Sequence, residues 1–296
     1  MNLPLERPTR PGSVVRVPIN RFRGEKLSET DDEIATEEPL EIRIYYFEKE
    51  QKHKSISITM RTPGNDFELA AGFLFTEGIV RSKDEIDRIS YCVDVPDEQM
   101  FNVVNVYLTP HVAFDTEKLT RNFYTTSSCG VCGKASIDAL RVQGITQLSQ
   151  VGLTCTEEVI RSIPAKLRKA QTIFSRTGGL HASGLFNSQG ELIVLREDVG
   201  RHNALDKIVG SQFLQGILPL NERILAVSGR TSFEIIQKAA MPGIPFTIGV
   251  GAPSSLAAQT AREFGMTLVG FAGPDGFNIY SGKERVLIPP RHLSTR

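Results

Sequence analysis

Residues 191–210, ELIVLREDVGRHNALDKIVG, pass from one periodicity to another. Glu191–Leu195 is a short apolar run of strand character, and from about His202 the pattern becomes that of a helix. The same handover recurs downstream. Ile224–Val227 reads as a strand before a helix opened by Thr231, with Glu234 three residues on as its capping-box partner. Phe246–Val250 precedes a helix that begins near Ser254 and ends at Gly265, and Thr267–Phe271 leads to Phe277–Tyr280, which can pair with it. Strands alternating with helices of about ten to fifteen residues predict an α/β fold, a layered sheet with flanking helices, over residues 151–296.

Upstream the pattern is α+β. Leu40, Ile42, Ile44 and Tyr46 alternate, as do Ile56, Ile58 and Met60, which predicts a β-hairpin turning at Gln51–Lys54. Pro63–Gly64–Asn65 starts a helix carrying Phe67, Ala70, Ala71 and Leu74 on one face, with Gly78 as its stop. Asn102–Leu108 is a further strand, so residues 31–150 form a smaller N-terminal part. Pro4, Pro8, Pro11 and Pro18 predict a flexible arm over residues 1–30, followed by a solvated acidic turn around Asp31–Glu38. Thr154–Lys169 reads as an amphipathic helix capped by Thr154 and Glu157 and kinked at Pro164.

The chain of 296 residues has 34 Lys plus Arg against 34 Asp plus Glu, a formal charge of zero, which argues against nucleic acid or a membrane surface held by bulk electrostatics. At 40% apolar and 23% charged residues it has the composition of a soluble globular protein. The first twenty residues contain no signal-peptide core, and Ile244–Ala258 is broken by two prolines, so the expectation is a cytoplasmic protein outside the membrane. Four cysteines, two of them in one CxxC, fit a reducing compartment.

That CxxC lies in Ser127–Ser128–Cys129–Gly130–Val131–Cys132–Gly133–Lys134, before a helical pattern at residues 134–142. A helix N-terminus lowers a thiol pKa, and the glycines let a partner approach the sulfur. Two such cysteines can carry sulfur chemistry, share a metal or lie inert. A zinc knuckle needs two more ligands, and the sequence holds no second CxxC and no HxxxH. Cys92 and Cys155 read as core thiols. A Walker A reading fails because Ser128 and Ala135 stand at required positions.

A second cluster joins Thr177–His181 to Arg196–Asn203 and Asp206–Lys207 at a strand-to-helix junction, with Asp206 four residues after His202 and able to pair with it. For such a charge run the bland alternative is a surface ion network. Ser228–Gly229–Arg230–Thr231–Ser232 and Gly249–Ser255 occupy the same place after the next two strands. Their hydroxyls, helix amides and Arg230 suit an anion, while Ser254 also fits a plain helix cap. His181-Ala-Ser lacks the glutamate of the zinc deaminases.

Taken together, EEPLEIRI, TMRTPGNDFELAAGFLFTEGI, TTSSCGVCGK, TGGLHASGLF, REDVGRHNALDKIVG, SGRTSFEIIQKAA, GAPSSLA and TLVGFAGPDGFNIY, spread from about residue 35 to 280, resemble the formate dehydrogenase accessory sulfurtransferases, the FdhD family. The resemblance implies a sulfur carrier, active as a sulfurtransferase. Such a protein accepts persulfide sulfur from a cysteine desulfurase and passes it to the molybdenum cofactor, bis-molybdopterin guanine dinucleotide, before insertion into formate dehydrogenase. It also implies a homodimer with a cytidine-deaminase-like C-terminal part and no tightly bound metal of its own. Carried onto this chain, Cys129 bears the persulfide and Cys132 supports transfer. The cofactor-binding segment matches Phe271, Ala272, Gly273, Pro274, Asp275 and Gly276. The family often has a basic residue two after the Phe, where this chain has Gly273. Position and charge add Arg201, Arg230 and Ser254 as phosphate contacts and His181 or His202 as orienting groups. Two alternatives are a non-catalytic cofactor-binding chaperone for formate dehydrogenase and a zinc hydrolase using Cys129, Cys132 and His181.

Overall fold

The computed structural model describes residues 10–112, 145, 147, 148 and 152–289. The fold is mixed α/β, and its two compact units are interleaved along the chain. One comprises residues 1–127, 171–181 and 197–216, and the other residues 128–170, 182–196 and 217–296. A division at residue 150 therefore does not describe the packing, because tertiary contacts join segments that the sequence separates.

In the first unit β1 (Val14–Arg23) and β2 (Lys26–Ala35) form a two-stranded antiparallel ribbon. Over residues 14–35 the expected flexible arm and solvated acidic turn are corrected: Pro18 sits within β1 opposite Asp31, and a ribbon that pairs with no third strand among the described residues tolerates the missing N–H. β3 (Glu38–Phe47), β4 (Gln51–Arg61), β5 (Ile86–Tyr91) and β6 (Val103–Leu108) make a four-stranded sheet in the order β4-β3-β6-β5. The hairpin is as expected, but its turn falls before Gln51, and Gln51–Lys54 already belong to β4. Leu40, Ile42 and Ile44 are fully buried, and α1 (Asp66–Thr76) follows the hairpin and ends where Gly78 takes a positive φ of 71°.

β7 (Cys155–Thr156) leads into α2 (Glu157–Ala170), and Thr156 rather than Thr154 caps it, accepting the Val159 N–H at 3.4 Å. α2 continues through Pro164 and buries Ile160, Ile163 and Leu167. Then come α3 (Thr172–Thr177), β8 (His181–Phe186), β9 (Leu192–Asp198), α4 (Arg201–Leu214), β10 (Ile224–Val227), α5 (Phe233–Ala240), β11 (Phe246–Gly249), α6 (Ser255–Glu263), β12 (Thr267–Gly273), β13 (Gly276–Ser281) and β14 (Val286–Leu287). The six-stranded sheet has the order β13-β12-β11-β10-β8-β9. β10, β11 and β12 run parallel, so their C-terminal ends lie on one side. Phe186, Ile224, Phe246, Ile248 and Val269 pack with the α2 side chains into one core. Each such burial contributes about 2 kcal/mol before chain entropy is charged against it.

α1 and α4, both in the first unit, approach backbone to backbone. A Cβ added at Gly72 would collide with the Asp206 carbonyl, and one at Gly210 with the Glu68 carbonyl. Phe75 and Phe213 continue the contact, their ring centroids 5.2 Å apart.

Candidate functional site

The charge run after β9 divides into a structural half and a half left facing outward. The Glu197 carboxylate accepts the N–H groups of Ile173 and Phe174 at 3.0 and 2.7 Å, satisfying the first turn of α3. Asp198 accepts from the N–H of Thr62 at 3.2 Å, the N–H of Gly200 at 2.8 Å and Asn203 Nδ2 at 3.1 Å. Lys207 Nζ lies 2.6 Å from Asp198 Oδ2 and donates to the Thr62 carbonyl at 2.9 Å. Asp206 Oδ1 accepts the Thr76 hydroxyl at 2.8 Å. Glu197, Asp198, Asp206 and Lys207 are all buried, and for these four the run is a framework within the first unit.

Arg201 and His202, the first residues of α4, remain partly exposed. Arg201 Nε is buried without a hydrogen-bond partner among the described residues. His181, half-buried at the start of β8, has its pKa lowered below the usual imidazole value, first by burial and then by the charge of Arg201, with Asp198 opposing. A neutral imidazole at neutral pH accepts or donates a hydrogen bond without carrying a charge.

In the second unit the loops leaving β10, β11 and β12 are joined by backbone bonds. Gly251 N–H donates to the Gly229 carbonyl at 3.2 Å, Thr231 N–H to Ala252 at 3.1 Å, Ser254 N–H to Thr231 at 2.9 Å and Phe271 N–H to Gly251 at 3.2 Å. Gly251 permits this approach, since a Cβ there would stand 3.1 Å from the Arg230 nitrogen. Arg230 is exposed on this platform. Ser254 Oγ accepts the Ala257 N–H at 3.1 Å, so the hydroxyl is the cap of α6, with its own proton left to donate. Thr231 precedes the cap of α5, which is Ser232.

The segment Phe271–Gly276 is where β12 folds back into β13. Gly273 pairs with Gly276, and Pro274 and Asp275 form the exposed two-residue turn. A Cβ on either glycine would meet nothing within 4 Å, so the backbone there borders open space. Ala272 is 5% exposed and turns into the core, which leaves only its backbone for a ligand. Phe271 does the reverse: it is 54% exposed and its φ is +51°. A non-glycine residue in the left-handed region costs about 1 kcal/mol or more, and such strain gathers at functional sites.

Cys129 and Cys132 lie outside the described residues. Cys92 and Cys155 are buried free thiols, and burial pushes the Cys155 pKa up to about 12. Among the described residues no group of three or more His, Cys, Asp or Glu is arranged to hold a metal ion, and no helix is long and apolar enough to cross a membrane. Sequence reasoning passed over Arg161 of α2 and Tyr280 of β13, which line one groove although 119 residues apart. The i, i+4 pair Glu157 and Arg161 was the available signal.

Over 93% of its length the chain superposes on a crystal structure from Desulfotalea psychrophila described as a formate dehydrogenase accessory protein, with a TM-score of 0.70, 26% identity and 99% of that chain covered. The fold is that of this class of accessory protein. Residues 35–287 match the family model of FdhD/NarQ, and the chain belongs to the FdhD/NarQ family. It is 48% identical over 273 residues to a sulfur carrier protein FdhD of Streptomyces avermitilis, covering 91% of this chain and 94% of the relative. A sulfur carrier protein FdhD of Sulfurisphaera tokodaii is 41% identical over 274 residues, covering 93% and 99%.

Proposed function

We propose that this protein is a persulfide sulfur carrier, acting as a sulfurtransferase for formate dehydrogenase maturation in the cytoplasm. Cys129 as thiolate attacks the terminal sulfur of a cysteine desulfurase persulfide. The new S–S bond forms on Cys129 as the old one breaks, and the desulfurase thiolate leaves. The Cys132 thiolate then attacks the inner sulfur on Cys129: a Cys129–Cys132 disulfide forms as the persulfide bond breaks, and the terminal sulfur leaves as sulfide for molybdenum bis-molybdopterin guanine dinucleotide, the acceptor, with a cellular thiol reducing the disulfide afterwards. The family membership and the relatives' name support the sulfur chemistry.

What supports the nucleotide side is the exposed β12–β13 turn, with open space over Gly273 and Gly276 and the strained, exposed Phe271 beside them. Backbone bordering open space at strand C-terminal ends is where open α/β sheets receive anionic ligands. Arg230 and the Ser254 hydroxyl on the joined loops are phosphate donors. Arg201, His202 and His181 form a second set on the first unit, for orienting the acceptor. The sheet order, with β8 antiparallel to β10 and the next strands parallel, supports the cytidine-deaminase-like reading. We read the working protein as a homodimer.

Intact-protein mass after incubation with a cysteine desulfurase and cysteine tests the carrier role. A reductant-sensitive gain of about 32 Da per persulfide, absent in Cys129→Ala, is expected. No gain on folded wild type, or an equal gain in Cys129→Ala, favours the non-catalytic cofactor chaperone.

A further inference from the structure

In the second unit the six-stranded sheet ends on β9, and among the described residues no strand pairs with the outer side of residues 192–196. A free edge is a row of unpaired N–H and C=O groups, which proteins blunt with charged side chains, proline or bulges. The edge strand β4 of the four-stranded sheet does so with exposed Lys52 and His53. The start of β9 does not. Residues 192–195 are an apolar run without proline or glycine, with Leu192 37% and Ile193 44% exposed.

Alternation sends Leu192 and Ile193 to opposite faces of this edge. On the Leu192 face lies α2: a Cβ on Gly184 would stand 2.8 Å from Leu167 and 3.2 Å from Leu192, so these two side chains share one place. The rim of that place is basic. Lys166 donates to the Gly190 carbonyl at the entry to β9, and Lys169 follows three residues on, near the same side of the helix. Both lysines are exposed. Arg196, on the Leu192 face, closes the other end of the run. The Glu191 carboxylate is engaged by Asn187 Nδ2 at 2.7 Å.

We infer that this edge receives an extended segment of a partner protein as an added strand, a short apolar run flanked by acidic residues. The backbone row supplies hydrogen bonds that any strand satisfies, and the side chains select. Apolar residues of the segment cover Leu192 and Ile193, and its carboxylates meet Lys166, Lys169 and Arg196. A second copy of the chain is the poorer occupant. Two β9 edges paired antiparallel would set the Lys166 end of one against the Arg196 end of the other, cation against cation.

Fluorescence anisotropy of the full chain with labelled peptides at low salt is the test, with thermal melting to show that each variant is folded. The probe is three valines flanked on each side by two glutamates. One counterpart carries lysines for the glutamates. The other carries prolines for the valines, which keeps the charge and removes N–H donors and strand conformation. The probe is expected to bind about tenfold more tightly than either counterpart, and about tenfold more weakly to Lys166→Glu/Lys169→Glu. Salt at about 0.5 M should weaken it as well. Equal binding of the lysine counterpart refutes the acidic segment, and equal binding of the proline counterpart refutes strand addition. A folded double variant that binds as wild type does, or no binding at all, overturns the inference. Self-association of wild type that is lost in Ile193→Lys gives the edge to a second copy instead.

Discussion

Lys207 Nζ and Asp198 Oδ2 stand 2.6 Å apart with side chains 2% and 0% exposed. In the sequence these two belong to a charge run that invites a reading as an active site. In the fold, Asp198 also accepts from Thr62, Gly200 and Asn203, so the carboxylate anchors β4 and the start of α4 at once. Asp198→Asn leaves the Lys207 ammonium buried without its counter-charge. Breaking a buried pair on one side costs about 3–5 kcal/mol. Urea unfolding of the variant should show a loss of that size, and a loss below about 1 kcal/mol would mean that the pair is solvated in solution.

Gly72 and Gly210 invert a common rule. Alanine replacing glycine inside a helix usually stabilises by about 0.5–1 kcal/mol. Here the added methyl would meet the backbone of the facing helix. Gly210→Ala should instead destabilise by about 1–3 kcal/mol or more as α1 and α4 are forced apart. The exposed α6 residue Gln259, changed to Ala, serves as the control and should leave the melting temperature nearly unmoved. A melting temperature for Gly210→Ala at or above wild type refutes the close approach.

The strands Ile224–Val227 and Phe246–Gly249 were legible because buried parallel strands leave continuous apolar runs bounded by turn residues. β1 and β2 were not, because among the described residues they pair only with each other, expose Phe22 and Leu27, and carry Pro18 at no cost to a further ladder. The strand-end loops were legible as anion candidates from their Gly, Ser and Arg content. Their joining through Gly251 was not, since backbone hydrogen bonds between loops leave no residue signature. The structural use of Glu197 and Asp198 was hidden for a related reason: their partners are the backbone N–H groups of Thr62, Ile173 and Phe174, which any residue but proline supplies. The interleaved units could not be read locally at all.

His181 should make stability depend on pH in a defined direction. Its folded pKa lies below the ordinary 6.5, so the unfolded chain binds the proton more readily. Stability is then undiminished above about pH 6.5 and falls as the pH drops from there toward the folded pKa. His181→Gln removes this contribution. Melting temperatures of the two proteins from pH 7.5 to 5 should converge or cross on the acid side. Parallel curves would show that His181 titrates as it does in the unfolded chain.

Cys155 should be silent in any sulfur assay. With its pKa pushed up to about 12, its thiolate at pH 8 is about a ten-thousandth of the thiol. Iodoacetamide at pH 8 should leave Cys155 unmodified in the native protein and modify it in urea, as read by peptide mass. Native-state labelling of Cys155 would mean that β7 opens more readily than its 1% exposure implies.

Phe271 joins two opposed demands, a left-handed backbone and an exposed ring. If the position served only the fold, glycine would suit it better, because the conformation costs about 1 kcal/mol for a residue with a Cβ. Phe271→Gly is therefore expected to hold or raise the melting temperature while weakening binding of the guanine-dinucleotide acceptor proposed above. Phe271→Ala separates the two effects: it keeps the backbone strain and loses the ring. It should bind as poorly as the glycine variant and melt below it. A Phe271→Ala protein that binds as wild type would assign the strain to the register shift between Gly270 and Gly273 in the β12–β13 pairing alone. Ring-dependent binding, together with the glycine variant's stability, would show that the strain is retained for the ligand.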